Sequence, residues 1–278
     1  MTNIRVATYN LKDFSIYATP HYFFEQKLYA LSRVLDEVNA DIIALQEIDS
    51  LKSLEVLNEA LERPFDHLAF QLSNSRRQIH LAYLSRFPIQ KKSYRKRVLK
   101  DEEGEEVLEY VTAESSKLKA LCFSRDLLRA KITVSATLRL VLFNTHLKSM
   151  MYLEWMKNTT DRVRNAECYT IVRVINEYSE DSNDPIILLG DFNHTVSHHS
   201  IAAISTGLGF YDAINDELES YSEGIHSFHN KSIKSRIDYI LLSSEAKKMY
   251  KSHSAAIYSS YPANKASDHY PVYLDLQF

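Results

Sequence analysis

The chain opens on a short β-prone run, IRVATY at 4–9, followed by Leu28, Leu31, Leu35 and Val38 at steps of three and four. That spacing puts one apolar face on a helix over 23–38. DIIALQ at 41–46 is a continuous apolar run, the pattern of a strand covered on both faces. Leu51, Leu54, Leu57 and Leu61 mark a second helix, and HLAYLSRFPI at 80–89 reads as a strand ending at Pro88. Two more β-prone runs, 127–134 and 139–145, form a hairpin around Ser135–Thr137, and Cys168, Ile171, Val172 and Ile175 place a helix over 160–178. PIILLG at 185–190, RIDYILL at 236–242 and PVYLDL at 271–276 are the remaining strands. Strands and helices interleave throughout, with no repeat and no linker, which predicts one α/β domain over 1–278. Several later strand pairs look antiparallel, so a mixed-sheet sandwich with outer helices fits better than a doubly wound sheet.

One segment breaks the alternation. Over about 90–112 a basic run, QKKSYRKRVLK, meets an acidic turn, DEEGEE, and then a strand-like EVLEYVT. It reads as a hairpin insertion whose cationic arm either contacts a phosphate backbone or is neutralised by its own acidic partner.

Composition changes the picture at one point. There are 5 glycines in 278 residues, and neither GxGxxG nor GxxxxGK[ST] can be written with them. Backbone cradles for nucleotide phosphate are thereby excluded, and any phosphate chemistry falls to side chains or a metal ion. The net charge of −3 offers no global basic excess, leaving a local basic groove as the only electrostatic route to nucleic acid. Cys122 and Cys168 lie in apolar-rich stretches and read as reduced residues of a cytoplasmic protein. The first residues enter a strand pattern at once with no secretory leader, and no apolar run is long enough to span a membrane. No obligate protein partner is indicated.

Polar residues gather where the apolar strands end. Asn10 follows the first strand and Glu47 the second; Asn144, Thr145 and His146 end RLVLFNTH; Asp191 and Asn193 follow PIILLG; Asp268 and His269 precede the last strand. Strand ends deliver side chains to open loops from a fixed position. Asp238, within RIDYIL, is costly to bury without a charge acceptor, for which His269 is the candidate. Carboxylates and amides without cysteine suit Mg²⁺ or Mn²⁺. Such an ion on Glu47 and Asn10 would polarise a phosphoryl oxygen, while His269, oriented by Asp238, would take a proton from attacking water. His146 would donate to the non-bridging oxygens, and Asp191 and Asn193 would place the water or a second metal. The reaction class is metal-assisted hydrolysis of a phosphate ester.

In order along the chain, ATYNLKDF at 7–14, DIIALQEI at 41–48, LSRFPI at 84–89, NTHLKS at 144–149, LLGDFNH at 188–194, RIDYILLS at 236–243 and SDHYPV at 267–272 resemble the motifs of the endonuclease/exonuclease/phosphatase superfamily. That superfamily includes deoxyribonuclease I, abasic endonucleases, bacterial sphingomyelinases, inositol-polyphosphate 5-phosphatases and deadenylases. The resemblance implies a deoxyribonuclease I-like, four-layer α/β sandwich of two packed mixed sheets flanked by helices. It implies Glu47 as the main Mg²⁺ ligand with Asn10 beside it, Asp191 and Asn193 as the water- and phosphate-positioning pair, His269–Asp238 as a dyad, and Asp268 as a metal or second-site ligand. His146 matches the branch that uses histidine there.

Lys12 stands where abasic endonucleases carry an acidic residue, and the 5-phosphatase signatures are absent. The ATYNLKDF and LQEI stretches are similar to bacterial NVENLF-type nucleases. The leading expectation is a Mg²⁺-dependent phosphodiesterase acting on DNA or RNA. The alternatives are a phosphoesterase on a small substrate (phospholipid head group, nucleotide or inositol phosphate) and a non-catalytic binding module. Arg125, Lys148 and Lys12 are the candidate substrate-phosphate contacts, with Arg76, Arg77, Arg162 and Arg164 as further cations that either reach substrate or remain solvated. His194, His198 and His199 form an HxxxHH pattern that either binds zinc or opens a helix.

Overall fold

The computed structural model describes residues 2–17, 20–110, 117–149, 157–195, 197–215, 225–230 and 233–278. In chain order the elements are β1 (Asn3–Phe14), α1 (His21–Val38), β2 (Ile42–Ile48), α2 (Leu51–Glu59), β3 (His67–Gln71), β4 (His80–Ser85) and β5 (Ile89–Ser93). There follow β6 (Leu108–Tyr110), β7 (Leu118–Ala120), β8 (Leu127–Thr133), β9 (Arg139–His146), α3 (Lys157–Glu180), β10 (Ile186–Asp191) and α4 (His199–Leu208). The last elements are β11 (Tyr211–Asp212), β12 (Phe228–His229), β13 (Lys234–Ser235), β14 (Asp238–Leu242), α5 (Ser244–Met249), β15 (Ala256–Ile257), α6 (Ala263–Ala266) and β16 (Val272–Gln277).

Two six-stranded sheets carry the architecture, in the orders β15-β16-β1-β2-β4-β3 and β11-β14-β10-β9-β8-β5. Both are mixed: β1 runs parallel to β2 and β9 to β10, and their other neighbours are antiparallel. This is the expected α/β sandwich. Side-chain alternation explains how the second sheet is buried on both faces. Leu140, Leu142, Ile187, Leu189, Ile240 and Leu242 belong to the cluster shared with the first sheet. Their neighbours Val141, Phe143, Ile186, Leu188 and Leu241 pack outward against Cys168, Ile171 and Ile175 of α3 and Ile201 and Ile204 of α4. The apolar stripe of α1 (Leu31, Val34, Leu35, Val38) and Leu54 and Leu57 of α2 cover the first sheet.

Polar residues also bridge the sheets. Gln46 Nε2 donates to Thr8 Oγ1 at 3.0 Å and across the interface to Asn144 Oδ1 at 2.8 Å. Asn144 Nδ2 in turn donates to the carbonyls of Leu45 and Ala82 at 3.0 and 3.2 Å. These bonds pair the buried amide NH2 groups and Asn144 Oδ1, each of which would cost about 1–3 kcal/mol left unmade, so they specify one alignment of sheet on sheet.

The expected hairpin insertion has different limits. Lys91 and Lys92 lie in β5, which pairs with β8 at the edge of the second sheet. The excursion leaves the sheet at Tyr94, folds through bridges Val98↔Cys122 and Lys100↔Glu106 and the β6–β7 pair, and returns to β8. The basic run is thus divided between a sheet edge and the insertion.

Gly190 has φ +135°, and a Cβ there would stand 2.0 Å from the carbonyl oxygen of Thr145 on β9. Only glycine lets β10 approach β9 so closely just before Asp191. Gly190→Ala is expected to destabilise the fold by roughly 3 kcal/mol or more, combining backbone strain with overpacking. Urea unfolding checks this; a loss below about 1 kcal/mol would remove the steric account.

Candidate active site

Register places the site. On the second sheet Asp191 is the cross-strand partner of His146 on one side and of Asp238 on the other. Three strand ends therefore set these side chains in one row, and parity turns them inward: His146 is two residues from Asn144, Asp191 two from Leu189, and Asp238 two from Ile240. From the first sheet Asn10 extends the row, its Nδ2 donating to Asp191 Oδ2 at 2.9 Å. Asn10, His146, Asp191 and Asp238 are all at most 3% exposed.

Glu47 reaches the same cleft against the alternation. Gln46 already faces the second sheet, so a regular strand would turn Glu47 away. Its φ of 61° and the register shift between Gln46 and Ile48 rotate it back. A matching irregularity in β1 puts Lys12 and Asp13 at φ 52° and 49°, and the Asp13 N–H donates to Glu47 Oε2 at 2.8 Å. Glu47 Oε1 stands 3.7 Å from His146 Nε2. Backbone strain at a carboxylate held by its neighbour marks a constrained position.

His269, just before β16, donates from Nδ1 to Asp238 Oδ2 at 2.8 Å and presents Nε2 to Asp191 Oδ2 at 3.8 Å. Ser227 Oγ donates to the same Asp238 oxygen at 2.7 Å and takes the N–H groups of Ile237 and Asp238. Burial alone would lower the His269 pKa, but Asp238 and then Asp191 outweigh it and hold the imidazolium up to about 10. Burial pushes Asp191 up to about 7, opposed by His269 and reinforced by Asp238. His146 goes the other way: burial, then Arg125 and His269, keep it well below 6.5 and neutral. Two histidines about the same carboxylate thus carry different charges, because only one has a dedicated carboxylate behind it.

Ligand atoms of Asp191, Asp238 and His269 lie within 4.8 Å of one another, close enough to converge on a cation. His269 Nδ1 and Asp238 Oδ2 are already bonded to each other, however, which fits a proton-bearing dyad better than a shared metal. The oxygens that fit a hard divalent ion are those of Glu47, with Asn10 beside it. Glu47 Oε1 accepts no hydrogen bond among the described residues.

The other expected residues divide. Asn193, with φ 51°, donates its N–H to Asp191 Oδ1 at 2.8 Å and its amide to the Leu147 carbonyl at 3.1 Å. Arg125 is buried and donates to that same carbonyl at 3.0 Å. Lys148 follows at the edge of the site. Asp268 is drawn into an ion pair with exposed Lys12 at 2.9 Å, in the wall of a cavity of about 1000 Å³ beside the cleft. Arg77 pairs with Asp13 at 2.6 Å. His198 caps α4, whose first residue is His199, and its ring lies tilted against those of His194 and His199, with centroids 3.7 and 4.2 Å apart.

Ser227 and Glu167 join the site as supporting residues, and Arg164 takes an unexpected place. Ser227 orients Asp238, and Glu167 on α3 accepts from Ser124 N at 2.7 Å and from Lys148 N at 2.7 Å. Arg164, fully buried, donates to the Lys148 carbonyl at 3.0 Å instead of facing solvent. Arg164 and Glu167 sit on the same helix stripe as Cys168 and Ile171, and charges at apolar-face positions were the available signal. Ser227 had none.

The family model described as "Endonuclease/Exonuclease/phosphatase family" matches residues 21–269. No curated protein matches by sequence. Among solved structures, the chain is similar to a mannosyl-6-phosphatase of Bacteroides thetaiotaomicron, with 20% identity, TM-score 0.64, and 99% of this chain and 100% of that chain covered. It is similar to TDP2 of Caenorhabditis elegans, with 14% identity, TM-score 0.65, and 100% and 75% covered. A human Nocturnin catalytic domain with bound sulfate gives 15% identity, TM-score 0.63, and 99% and 94% covered. No described helix is long and apolar enough to cross a membrane.

Proposed function

Because the chain belongs to the endonuclease/exonuclease/phosphatase family, whose members are phosphoesterases, we propose that it is a Mg²⁺-dependent phosphodiesterase hydrolysing nucleic-acid strands in the cleft between its two sheets. The observation that carries this reading is the buried row Asp238–His269–Asp191, closed by Asn10 and faced by Glu47 and neutral His146.

Glu47, with Asn10 beside it, would hold Mg²⁺ (or Mn²⁺), which when bound supplies charge neutralisation at the phosphoryl oxygens. The remaining chemistry belongs to side chains. With Nε2 near two carboxylates, His146 carries its single proton toward the cleft and donates to a non-bridging oxygen. His269 is charged at neutral pH, so it serves as a donor to the phosphate while Asp191, poised near 7, takes the proton of attacking water. This moves proton acceptance from His269, where sequence put it, to the carboxylate in front of it. The water oxygen bonds to phosphorus, the P–O bond to the leaving group breaks, and the departing oxygen collects a proton from His269. Asn193 fixes Asp191 through its N–H, and Asp238 holds the imidazolium.

One structural neighbour is a mannosyl-6-phosphatase, which supports a second reading, a phosphomonoesterase on a small substrate. A panel of DNA and RNA oligonucleotides, bis-p-nitrophenyl phosphate, p-nitrophenyl phosphate and mannose 6-phosphate, each with Mg²⁺, Mn²⁺ or EDTA, separates the two. Expected are cleavage of the diesters with either metal, none with EDTA, and monoester rates at least ~10-fold lower. Faster hydrolysis of the monoesters would replace the diesterase reading by the second.

A further inference from the structure

Next to the site lies a second cavity, of about 650 Å³, whose lining among the described residues carries seven lysines and arginines against one acid, Glu109. Arg125 and Lys148 form its inner end, Arg76 comes from the loop between β3 and β4, and Arg95 and Lys96 come from the start of the insertion. Two of the seven are neutralised: Arg77 by Asp13 at 2.6 Å and Lys119 by Glu109 at 3.0 Å. Among the described residues the other five have no carboxylate within ion-pair distance. The nearest acid behind Arg125 and Lys148 is Glu167, whose oxygens are taken by Ser124 and the Lys148 N–H. Cations crowded on one cavity repel one another unless an anion sits between them. Burial and the neighbouring Arg125 accordingly push the Lys148 pKa down.

The cavity is joined to the catalytic row by one carbonyl. Leu147 O accepts both from Arg125, in the cavity, and from Asn193, in the site. His146 and Lys148 flank that residue, a separation of at most ~7 Å along the chain. An extended strand covers such a span from one phosphate to the next. We propose that this cavity is a second phosphate subsite, holding the phosphate adjacent to the scissile one in a nucleic-acid strand; the proposal rests on the phosphodiesterase reading above. The insertion at 94–123 then has a purpose: its Arg95 and Lys96 wall the path of the strand, while the acidic segment 101–106 folds back onto Arg173 and Lys100 instead of cancelling them.

Arg76 and Lys96 are exposed and are the sites at which to test this, since among the described residues neither side chain makes a hydrogen bond or ion pair that the substitution would break. The combined variant Arg76→Glu and Lys96→Glu is placed in a catalytically silenced Glu47→Gln background. Binding of a fluorescent single-stranded tetranucleotide is then followed by anisotropy across salt. Expected is at least a tenfold loss of affinity and a salt slope lower by about 0.7 per lost phosphate contact. In the active protein, the ratio of kcat/KM on the tetranucleotide to that on bis-p-nitrophenyl phosphate, which has a single phosphate, should fall tenfold or more. Ratio and affinity both within twofold of the parent would overturn the proposal. So would a variant that loses inhibition by inorganic pyrophosphate yet binds the tetranucleotide normally, since the cavity would then serve a small bisphosphate. If no diester is hydrolysed with any metal, the function reading falls by itself, and the anisotropy arm still decides whether the cavity holds a strand.

Discussion

Glu47→Gln is expected to lower kcat/KM on a phosphodiester by about a thousandfold while leaving the fold intact. Glutamine keeps the shape, and its amide oxygen can still accept from the Asp13 N–H at the position Glu47 Oε2 holds at 2.8 Å. What is lost is one negative charge at an atom, Oε1, that accepts no hydrogen bond among the described residues and faces a neutral His146. The charge has no role in folding that the described contacts reveal, and its strained backbone conformation exists to aim it at the cleft. Two independent readouts apply. Turnover with saturating Mg²⁺ measures the catalytic loss, and calorimetric titration of Mn²⁺ should show affinity weaker by at least ~10-fold. A variant that keeps a third of wild-type turnover and binds the ion normally would remove Glu47 from the site.

His269→Ala should cost about a thousandfold or more and Asp238→Asn about a hundredfold or more. The double variant should be no worse than His269→Ala alone, because Asp238 acts through the ring it holds. The pH profile distinguishes this from a merely structural role. The proposed mechanism needs Asp191 ionised and His269 protonated, so the acid limb is expected at or below 7 and the alkaline limb near 10. Asp238→Asn removes the main influence raising His269 and should pull the alkaline limb down toward neutrality. Stability follows the same group. A histidine whose folded pKa is raised contributes stability that is fully present below its unfolded value near 6.5 and is lost as pH rises through about 10. Urea unfolding of the metal-free protein between pH 6 and 10 should therefore show a decline that is smaller in Asp238→Asn. An unmoved alkaline limb in that variant would separate the two residues functionally.

Much of this was legible along the chain, for a physical reason. Strands buried on both faces must be continuously apolar, so a polar residue at their end is conspicuous; Asn10, His146, Asp191 and the internal Asp238 all stood out that way and converge. The pairing of Asp238 with His269 followed from the cost of an uncompensated buried charge. What could not be read depends on long-range geometry. Alternation alone sends Glu47 to the wrong face, and only the paired irregularities of β1 and β2 bring it back. Ser227 lies in a polar stretch without periodicity, so nothing local distinguishes it. The basic run at 91–100 reads as one arm, yet strand pairing splits it because Lys91 and Lys92 are claimed by β8. The protonation pattern was equally hidden, since it depends on which histidine has a carboxylate behind it.

The pairing of β16 with β1 joins Asn3 to Gln277 and Thr8 to Val272. It also carries His269 onto the first sheet, where Ser267 Oγ locks the segment to the Asn10 carbonyl at 2.8 Å. Contacts of such sequence separation form slowly, because the loop they close is nearly the whole chain. The row therefore gains its imidazolium only when β16 pairs with β1 and the sandwich closes. Before that pairing, Glu47, His146 and Asp191 stand without the charged ring that closes the row.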